Sequence, residues 1–296
     1  MTVALLFSGD SPGWQSMALT WSEHSRNVRM RLQRAGMIAH TELIWALERG
    51  DRALLRPEVR QPALTALAVG IFQDLQEAGV TFEYVAGHSL GEIAAWCASG
   101  AISPDTALEI ARTRGRLLSR AADKTPGGML AVTSERAVAE GQQLGLELAA
   151  HNAPDEWVLA GAESQLSAIA KVHGGTPLEA AGPWHTRAMG DAVDPLYRML
   201  RTQLTRPMEA MLVCNVTGTI AAAGEIPELL SRQLAEPVQW AKTMRTLFVH
   251  QNQILVTIGP GDAVRSQAHR CLGSLVTVLP TDTPDDLQRT AETLAK

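Results

Sequence analysis

Ser89 is the residue in this sequence best placed to do chemistry. It stands in Gly87-His88-Ser89-Leu90-Gly91, a Gly-x-Ser-x-Gly pattern that forms a nucleophile elbow where it joins a strand to a helix. Such a turn needs its glycines, because a side chain at either position would collide with the neighbouring strand or helix. The turn pushes the serine hydroxyl outward, and the following helix aims its free N–H groups and positive dipole end at the site. The chemistry would be nucleophilic attack on an acyl carbonyl, with the Leu90 N–H placed to bind the oxyanion of the tetrahedral intermediate. Short Gly/Ser patterns also arise by chance, so the flanking elements decide how much weight this one carries.

An arginine is the second unusual residue. Over 105–121 the helical period puts Arg112, Arg116 and Arg120 at i, i+4 and i+8, on one face. Arg114 falls about 200° from Arg112, on the opposite side, beside Ile110 and Leu118. The first three read as snorkelling surface residues. A guanidinium on an apolar face needs a partner, and it can hold a carboxylate with two parallel hydrogen bonds.

The elements that must position these groups alternate between strand and helix. Val3 to Phe7 predicts a strand, followed by the turn-rich Ser8-Gly9-Asp10-Ser11-Pro12-Gly13. Residues 61–78 have apolar positions at helical spacing. Thr81 to Ala86 predicts the strand that enters the elbow, and 92–99 and 105–121 predict helices. This alternation favours an α/β protein with a mostly parallel sheet. The middle differs. Met129 to Thr133 predicts a strand and Glu135 to Leu144 a helix. Leu146 to Ala150 and Trp157 to Ala160 predict two strands around the turn His151-Asn152-Ala153-Pro154. Ser164 to His173 predicts a helix and Thr176 to Ala180 a strand. That β-α-β-β-α-β order is the ferredoxin-like pattern. It assigns 127–185 to a small inserted subdomain, leaving 1–126 and 186–296 as the large one.

Composition narrows the function classes. The chain has 296 residues, 46% of them hydrophobic and 19% charged, enough to bury a sizeable core without staples. A net charge of -5 argues against nucleic acid as the main partner. Cys97, Cys214 and Cys271 are scattered and form no CxxC pair, so neither a disulfide framework nor a metal site is expected, and the cytoplasm is the natural compartment. No apolar stretch approaches the ~20 residues of a membrane helix. The opening MTVALLF reads as a first strand rather than a signal peptide.

Val85-Ala86-Gly87-His88-Ser89-Leu90-Gly91-Glu92 resembles the signature of the malonyl-CoA:acyl carrier protein transacylase family, which includes the acyltransferase domains of polyketide synthases. The resemblance runs nearly end to end, with further segments in the family's order. Phe7 to Gln15 sits where the family has its FPGQGSQ-like loop, and Arg112 to Gly115 matches its Arg-Gly after the elbow. Gly127 to Val132 and Asn152-Ala153-Pro154 with Val158 to Gly161 match the small subdomain. Trp184-His185 matches the catalytic histidine. Asn215 to Gly218, Gln233 to Trp240 and Ile258 to Gly261 follow in turn. The resemblance implies an α/β-hydrolase-like large subdomain with a ferredoxin-like insertion, and ping-pong acyl transfer through an acyl-serine. Ser89 would be the nucleophile, His185 its general base, and Gln233 the residue that accepts from the ring N–H of His185. Backbone N–H groups of Asp10 and Leu90 would form the oxyanion hole, and Arg114 would bind the free carboxylate of a malonyl thioester. His88, adjacent to Ser89, should face the walls of the turn in a supporting role.

Five positions depart from the family pattern, and two of them, Pro12 and Gly13, replace a serine and a glutamine in the first loop. Asp10 replaces a glutamine, and a carboxylate beside a developing negative charge must turn away or find a cation. Trp184 is bulkier than its usual counterpart, which predicts malonyl over methylmalonyl as the acyl group. Glu156 replaces a glutamine and receives no functional account from the sequence. The expected activity is malonyl transfer from malonyl-CoA to the phosphopantetheine thiol of an acyl carrier protein, in fatty acid or trans-acting polyketide synthesis. The alternatives are an acyl hydrolase clearing carrier proteins and a transferase for another acyl unit. No cofactor is expected, since coenzyme A serves as substrate, and a monomer is expected. An acidic carrier would need a basic docking patch, for which Arg112, Arg116 and Arg120, or Arg187, Arg198, Arg201 and Arg206, are the candidates.

Overall fold

The computed structural model describes residues 2–295. In chain order its strands are β1 (Thr2–Phe7), β2 (Tyr84–Gly87), β3 (Gly128–Val132), β4 (Glu147–Ala153), β5 (Glu156–Gly161), β6 (Thr176–Pro177), β7 (Met211–Cys214), β8 (Thr219–Ile220), β9 (Asn252–Ile258) and β10 (Thr277–Pro280). The large sheet has the order β10-β9-β1-β2-β7-β8. Its strands run parallel except for β8, which pairs antiparallel with β7 at the edge. Its central strands are buried on both faces, as the near-continuous apolar runs of β1 and β2 require.

Register fixes where the loops meet. Phe7 lies opposite both Gly87 and Ile258, so β1, β2 and β9 end at one level. The loops that leave them therefore share the carboxyl edge of the sheet, where open α/β sheets bind ligands. Hydrogen bonds knit that edge together, from Ser8 N–H to the Ile258 carbonyl and from His88 N–H to the Phe7 carbonyl, both 2.9 Å. The elbow's glycines are dictated by crowding there. A Cβ on Gly91 would lie 2.3 Å from the Phe7 carbonyl oxygen, and one on Gly87 2.1 Å from the Glu92 nitrogen.

Two long helices position the arginine, one carrying it and the other supplying its partner Gln61. The helix Pro57–Glu77 is buried along most of its length and serves as a core element. The helix Pro104–Lys124 starts at an N-cap, Ser103, whose side chain accepts from the Thr106 N–H, and has Pro at its first position. It buries one stripe, which includes Arg114 and Gly115.

The small sheet is antiparallel in the order β4-β5-β3-β6, with the helices Glu135–Gln143 and Glu163–His173 in its connections. This is the ferredoxin-like arrangement, and it has its own core of Leu130, Val132, Ala137, Leu146, Leu159, Leu166 and Ile169. Its β4 docks onto the large subdomain through main-chain bonds, His151 N–H to the Val238 carbonyl at 2.8 Å and Val238 N–H to the Ala149 carbonyl at 2.9 Å.

Three elements differ from expectation. The strand predicted at Thr81 to Ala86 begins only at Tyr84, because Phe82 packs edge-on against Phe72 instead. The turn expected at 151–154 is shorter. Irregular pairing lets β4 run on to Ala153, with the His151 ring stacked on Trp157. The strand expected at Thr176 to Ala180 stops at Pro177. The Leu178 N–H still reaches the Met129 carbonyl at 3.0 Å, but the Ala180 N–H turns back to the Leu178 carbonyl at 2.8 Å and takes the chain out of the ladder. Residues 178–180 line a recess instead.

Candidate active site

Ser89 and His185 both have left-handed backbones, with φ of 50° and 62°. Such conformations are sparse for non-glycine residues and persist only where the surroundings impose them. Here they bring Ser89 Oγ to 2.7 Å from His185 Nε2. On the other side of the ring, His185 Nδ1 lies 2.6 Å from the main-chain carbonyl of Gln233. A carbonyl only accepts, so Nδ1 carries the proton and Nε2 presents its lone pair to the serine hydroxyl. The carbonyl is available because Gln233 caps the C-terminus of the helix Ile226–Arg232, where carbonyls lack intrahelical partners. Burial, reinforced by the Arg114 guanidinium, pulls the His185 pKa down to about 3. The imidazole is therefore neutral and ready to accept a proton across the working pH range.

Arg114 is only 3% exposed. Its Nη1 donates to Gln61 Oε1 at 3.1 Å, and its Nη2 donates to Gln233 Oε1 at 2.9 Å and to Ser89 Oγ at 3.2 Å. The Gln233 amide then donates to the Ser89 carbonyl at 3.0 Å and to Glu92 Oε2 at 2.6 Å. Glu92 also accepts the Asn215 N–H at 3.1 Å, and Asn215 Nδ2 bonds the Gly87 carbonyl at 2.6 Å. Gln233 thus does two jobs: its main chain fixes the histidine and its side chain ties Arg114 to Glu92. Burial brings the Arg114 pKa down to about 10, so the group remains a cation at neutral pH.

Burial pushes the Glu92 carboxyl up to about 7, above its unfolded value. Its contribution to stability is therefore complete below its unfolded pKa and is lost as pH rises through about 7. A shift of this size corresponds to about 3 kcal/mol at most. Glu92→Gln should flatten the dependence of Tm on pH between pH 5 and 8. An unchanged slope in that variant would mean another group drives the dependence.

The oxyanion side is built from free main-chain donors. Among the described residues, neither the Leu90 N–H nor the Asp10 N–H is taken by another protein group. The Asp10 carboxylate does find a cation, with Arg60 Nη2 at 2.5 Å from Oδ1. Its side chain keeps 38% of its surface in solvent while protein encloses its other sides. That enclosure raises its pKa, against the lowering effect of Arg60.

His88 turns into the wall. Its Nε2 is 2.8 Å from Asn152 Oδ1, and its ring meets Trp240 edge-on at 5.3 Å. Asn152 Nδ2 in turn donates to Glu156 Oε1 at 3.0 Å, which fixes the amide's orientation and makes His88 Nε2 the protonated nitrogen. Glu156 also pairs with Arg270 and accepts from Gln267 at 2.9 Å. The residue without a sequence account thus anchors the neighbour of the nucleophile to the helix Asp262–Leu272.

These groups open onto a recess of about 320 Å³ between the two subdomains. Ser89, His185, His88, Asp10 and Arg60 form its polar side, and Met129, Ala150, Val158, Leu178, Ala180 and Trp184 its apolar side. Wider hollows of about 590 and 690 Å³ lie away from Ser89, the first between N-terminal helices and the helix Pro284–Leu294, the second among N-terminal helices. The chemistry, not the volume, selects the smaller recess. Of the arginines considered for docking, Arg116 and Arg120 are exposed, while Arg187 and Arg198 are engaged by Glu147 and Asp194. Among the described residues, no cluster of His, Cys, Asp or Glu could hold a metal ion.

Sequence reasoning reached Ser89, His185, Gln233, Arg114, Asp10, Leu90, His88 and Trp184; the structure places Ser89, His185, Asp10, His88 and Trp184 on the lining of the recess, with Arg114 and Gln233 bonded to Ser89 behind it and Leu90 next to Ser89 in the chain. It missed Gln61, Glu92, Asn152, Asn215 and Arg60. Glu92 carried a signal, being the one acid in an otherwise apolar eight-residue helix, Gly91–Ala98. Gln61 carried a weaker one, as a buried amide at the start of an apolar helix. Arg60 carried none.

The acyl transferase domain family matches residues 5–283 of the chain. The malonyl CoA-acyl carrier protein transacylase of Mycobacterium tuberculosis is 31% identical over 294 residues, 95% of this chain and 92% of its own length. The solved malonyl-CoA:acyl carrier protein transacylase of Xanthomonas oryzae superposes with a TM-score of 0.90 at 26% identity, covering 99% of each chain. A malonyl-transacylase solved in complex with its type II polyketide acyl-carrier protein gives 0.89 at 26% identity, covering 99% of this chain and 100% of its own.

Proposed function

The chain belongs to the acyl transferase domain family, and from that premise we propose that it carries a malonyl group from malonyl-CoA to the phosphopantetheine thiol of an acyl carrier protein, through a malonyl ester of Ser89. The observation that carries the malonyl assignment is the buried Arg114 guanidinium 3.2 Å from Ser89 Oγ. A cation so close to the nucleophile selects an acyl group that bears its own anion. The carboxylate of malonyl takes over the bond that Arg114 now makes to the serine hydroxyl.

The steps follow from the geometry. Ser89 Oγ attacks the thioester carbonyl as its proton passes to His185 Nε2. The oxyanion is held by the N–H groups of Asp10 and Leu90. The tetrahedral intermediate collapses, the C–S bond breaks, and the imidazolium returns the proton to the departing thiolate of coenzyme A. In the second half the carrier's thiol gives its proton to His185 and attacks the ester, and Ser89 leaves with that proton. Side chains and peptide groups of this chain perform every step, with coenzyme A as substrate and product.

A panel of acyl-CoAs followed by intact mass spectrometry tests the reading. Malonyl-CoA should label Ser89 stoichiometrically and pass the label to a carrier thiol faster than to water. Equal labelling by acetyl-CoA would remove the malonyl assignment, and loss of the label chiefly to water would identify a hydrolase.

Trp184 is partly buried, packs against core residues of both subdomains and lines the recess beside His185. Its indole leaves little room for a branch at the α-carbon of the acyl group. Trp184→Ser should raise the ratio of methylmalonyl to malonyl transfer by about 10-fold or more, the scale of one methyl group in an apolar pocket. A competition assay with both thioesters measures it directly.

A further inference from the structure

We propose that Arg60 is a positioning residue for the oxyanion loop: it holds the Asp10 carboxylate away from the reacting carbonyl so that the peptide N–H of the same residue can serve the oxyanion. This rests on the reading above, in which that N–H is one of the two oxyanion donors.

Asp10 brings two opposed groups to one place. Its N–H is free and follows the end of β1 toward the elbow. Its carboxylate, a few bonds away, lines the same recess as Ser89. Left unpaired, a carboxylate there would oppose the negative charge that develops on the acyl oxygen, and would lie within the field of Arg114, the cation reserved for substrate. Arg60 answers both problems with a direct pair to Oδ1. Among the described residues Asp10 is its one acidic partner, and its Nε is buried without any. The guanidinium is only 12% exposed, is backed by the face of Trp14 at 6.0 Å, and projects from the first turns of the helix Pro57–Glu77. The next residue on that helix, Gln61, holds Arg114 Nη1. Consecutive side chains thus set the two cations of the site, one on the oxyanion loop and one on the nucleophile.

The test is a double-mutant cycle on the full chain: wild type, Arg60→Ala, Asp10→Asn and the double variant, with Arg60→Lys as the charge-conserving control. Thermal melts confirm that each is folded. The readout is kcat for transfer and its dependence on pH. Arg60→Ala should lower kcat by about 10- to 100-fold, less than the roughly 100- to 1,000-fold of an oxyanion donor removed outright because the Asp10 N–H itself remains, and Arg60→Lys should recover most of it. In the Asp10→Asn background, Arg60→Ala should change kcat by less than about 3-fold, since no charge remains to be held.

The pH profile gives a signature that a merely structural role would not. The charged groups facing Asp10 are Arg60, Arg114 and Glu179, and the recess also holds His185 and His88. Measured from pH 8 to 5, kcat of the Arg60→Ala protein should rise relative to wild type as pH falls. Burial already raises the Asp10 pKa, and the variant loses the opposing pull of Arg60, so the carboxyl takes up its proton at higher pH than in wild type. His185, pulled down to about 3, stays unprotonated over that range. An equal loss from Arg60→Ala in both backgrounds, or no loss in either, overturns the proposal. Failure of the malonyl reading is visible separately, as wild type that fails to label with malonyl-CoA. The cycle is then run on the acyl-CoA that does label Ser89, and its outcome decides the role of Arg60 unchanged.

Discussion

His185→Ala is expected to fold normally and to lose about 10⁴-fold or more in the rate of Ser89 acylation, a barrier increase of at least ~5 kcal/mol. The ring is held at both ends, by the serine hydroxyl at Nε2 and by the Gln233 carbonyl at Nδ1. Because the carbonyl compels the Nδ1–H tautomer, the lone pair that receives the serine proton is already in place before substrate binds. Alanine removes what is, among the described residues, the one base in contact with Oγ, since His88 points away to Asn152. The pH dependence separates this role from a structural one. The free enzyme's His185 titrates at about 3, so wild-type kcat/KM for acylation should stay level from pH 8 down to pH 5. A histidine at its ordinary value would lose half its base form near pH 6.5. Stopped-flow acylation across that range is the measurement. Glu92, pushed up to about 7, also titrates in this range, so the profile is repeated in Glu92→Gln; a midpoint near 6.5 that persists there would mean that burial and the Arg114 field do not govern the base.

How much of this was legible in the sequence depends on how local the cause is. The elbow is local: two glycines, a strand before and a helix after suffice, and Ser89 and Leu90 follow from them. The ferredoxin-like insertion is nearly as local, because its alternation of apolar runs is regular over 128–177. Its strand ends were less legible, at Pro177, where the Ala180 N–H turns back to Leu178, and at the end of β4, where irregular pairing with β5 carries the strand on to Ala153. Arg114 showed through helical period as a cation on the wrong face. The form of Gln233's contribution was not legible, because a main-chain carbonyl leaves no mark on residue type. Nor was the Asp10–Arg60 pair, whose members lie 50 positions apart in the numbering and meet only because β1 ends where the helix Pro57–Glu77 begins. The sequence showed the carboxylate's need for a cation without showing which residue met it.

Arg114→Ala should invert acyl preference. The malonyl carboxylate loses the buried cation beside Ser89, and truncating one side of a desolvated charge pair costs about 2–5 kcal/mol. That predicts a fall in kcat/KM for malonyl-CoA of roughly 30- to 5,000-fold. Acetyl-CoA carries no charge at that end and should fall far less, so the ratio of acetyl to malonyl transfer rises by nearly the factor that malonyl transfer loses. Arg114→Lys should not rescue malonyl transfer. The guanidinium reaches Gln61 with one nitrogen and Gln233 and Ser89 with the other, and an ammonium cannot span that fork. A second readout follows from the same charge. Arg114 helps to hold the His185 pKa low, so in Arg114→Ala the acid limb of kcat/KM for acetyl-CoA should move to higher pH. Glu92 would respond in the same direction, because Arg114 is one of the groups that lowers its pKa, and a carboxyl deprived of its cation binds its proton more tightly. Equal losses for malonyl and acetyl transfer with no movement of the acid limb would show that Arg114 only braces the site and does not read the substrate's charge.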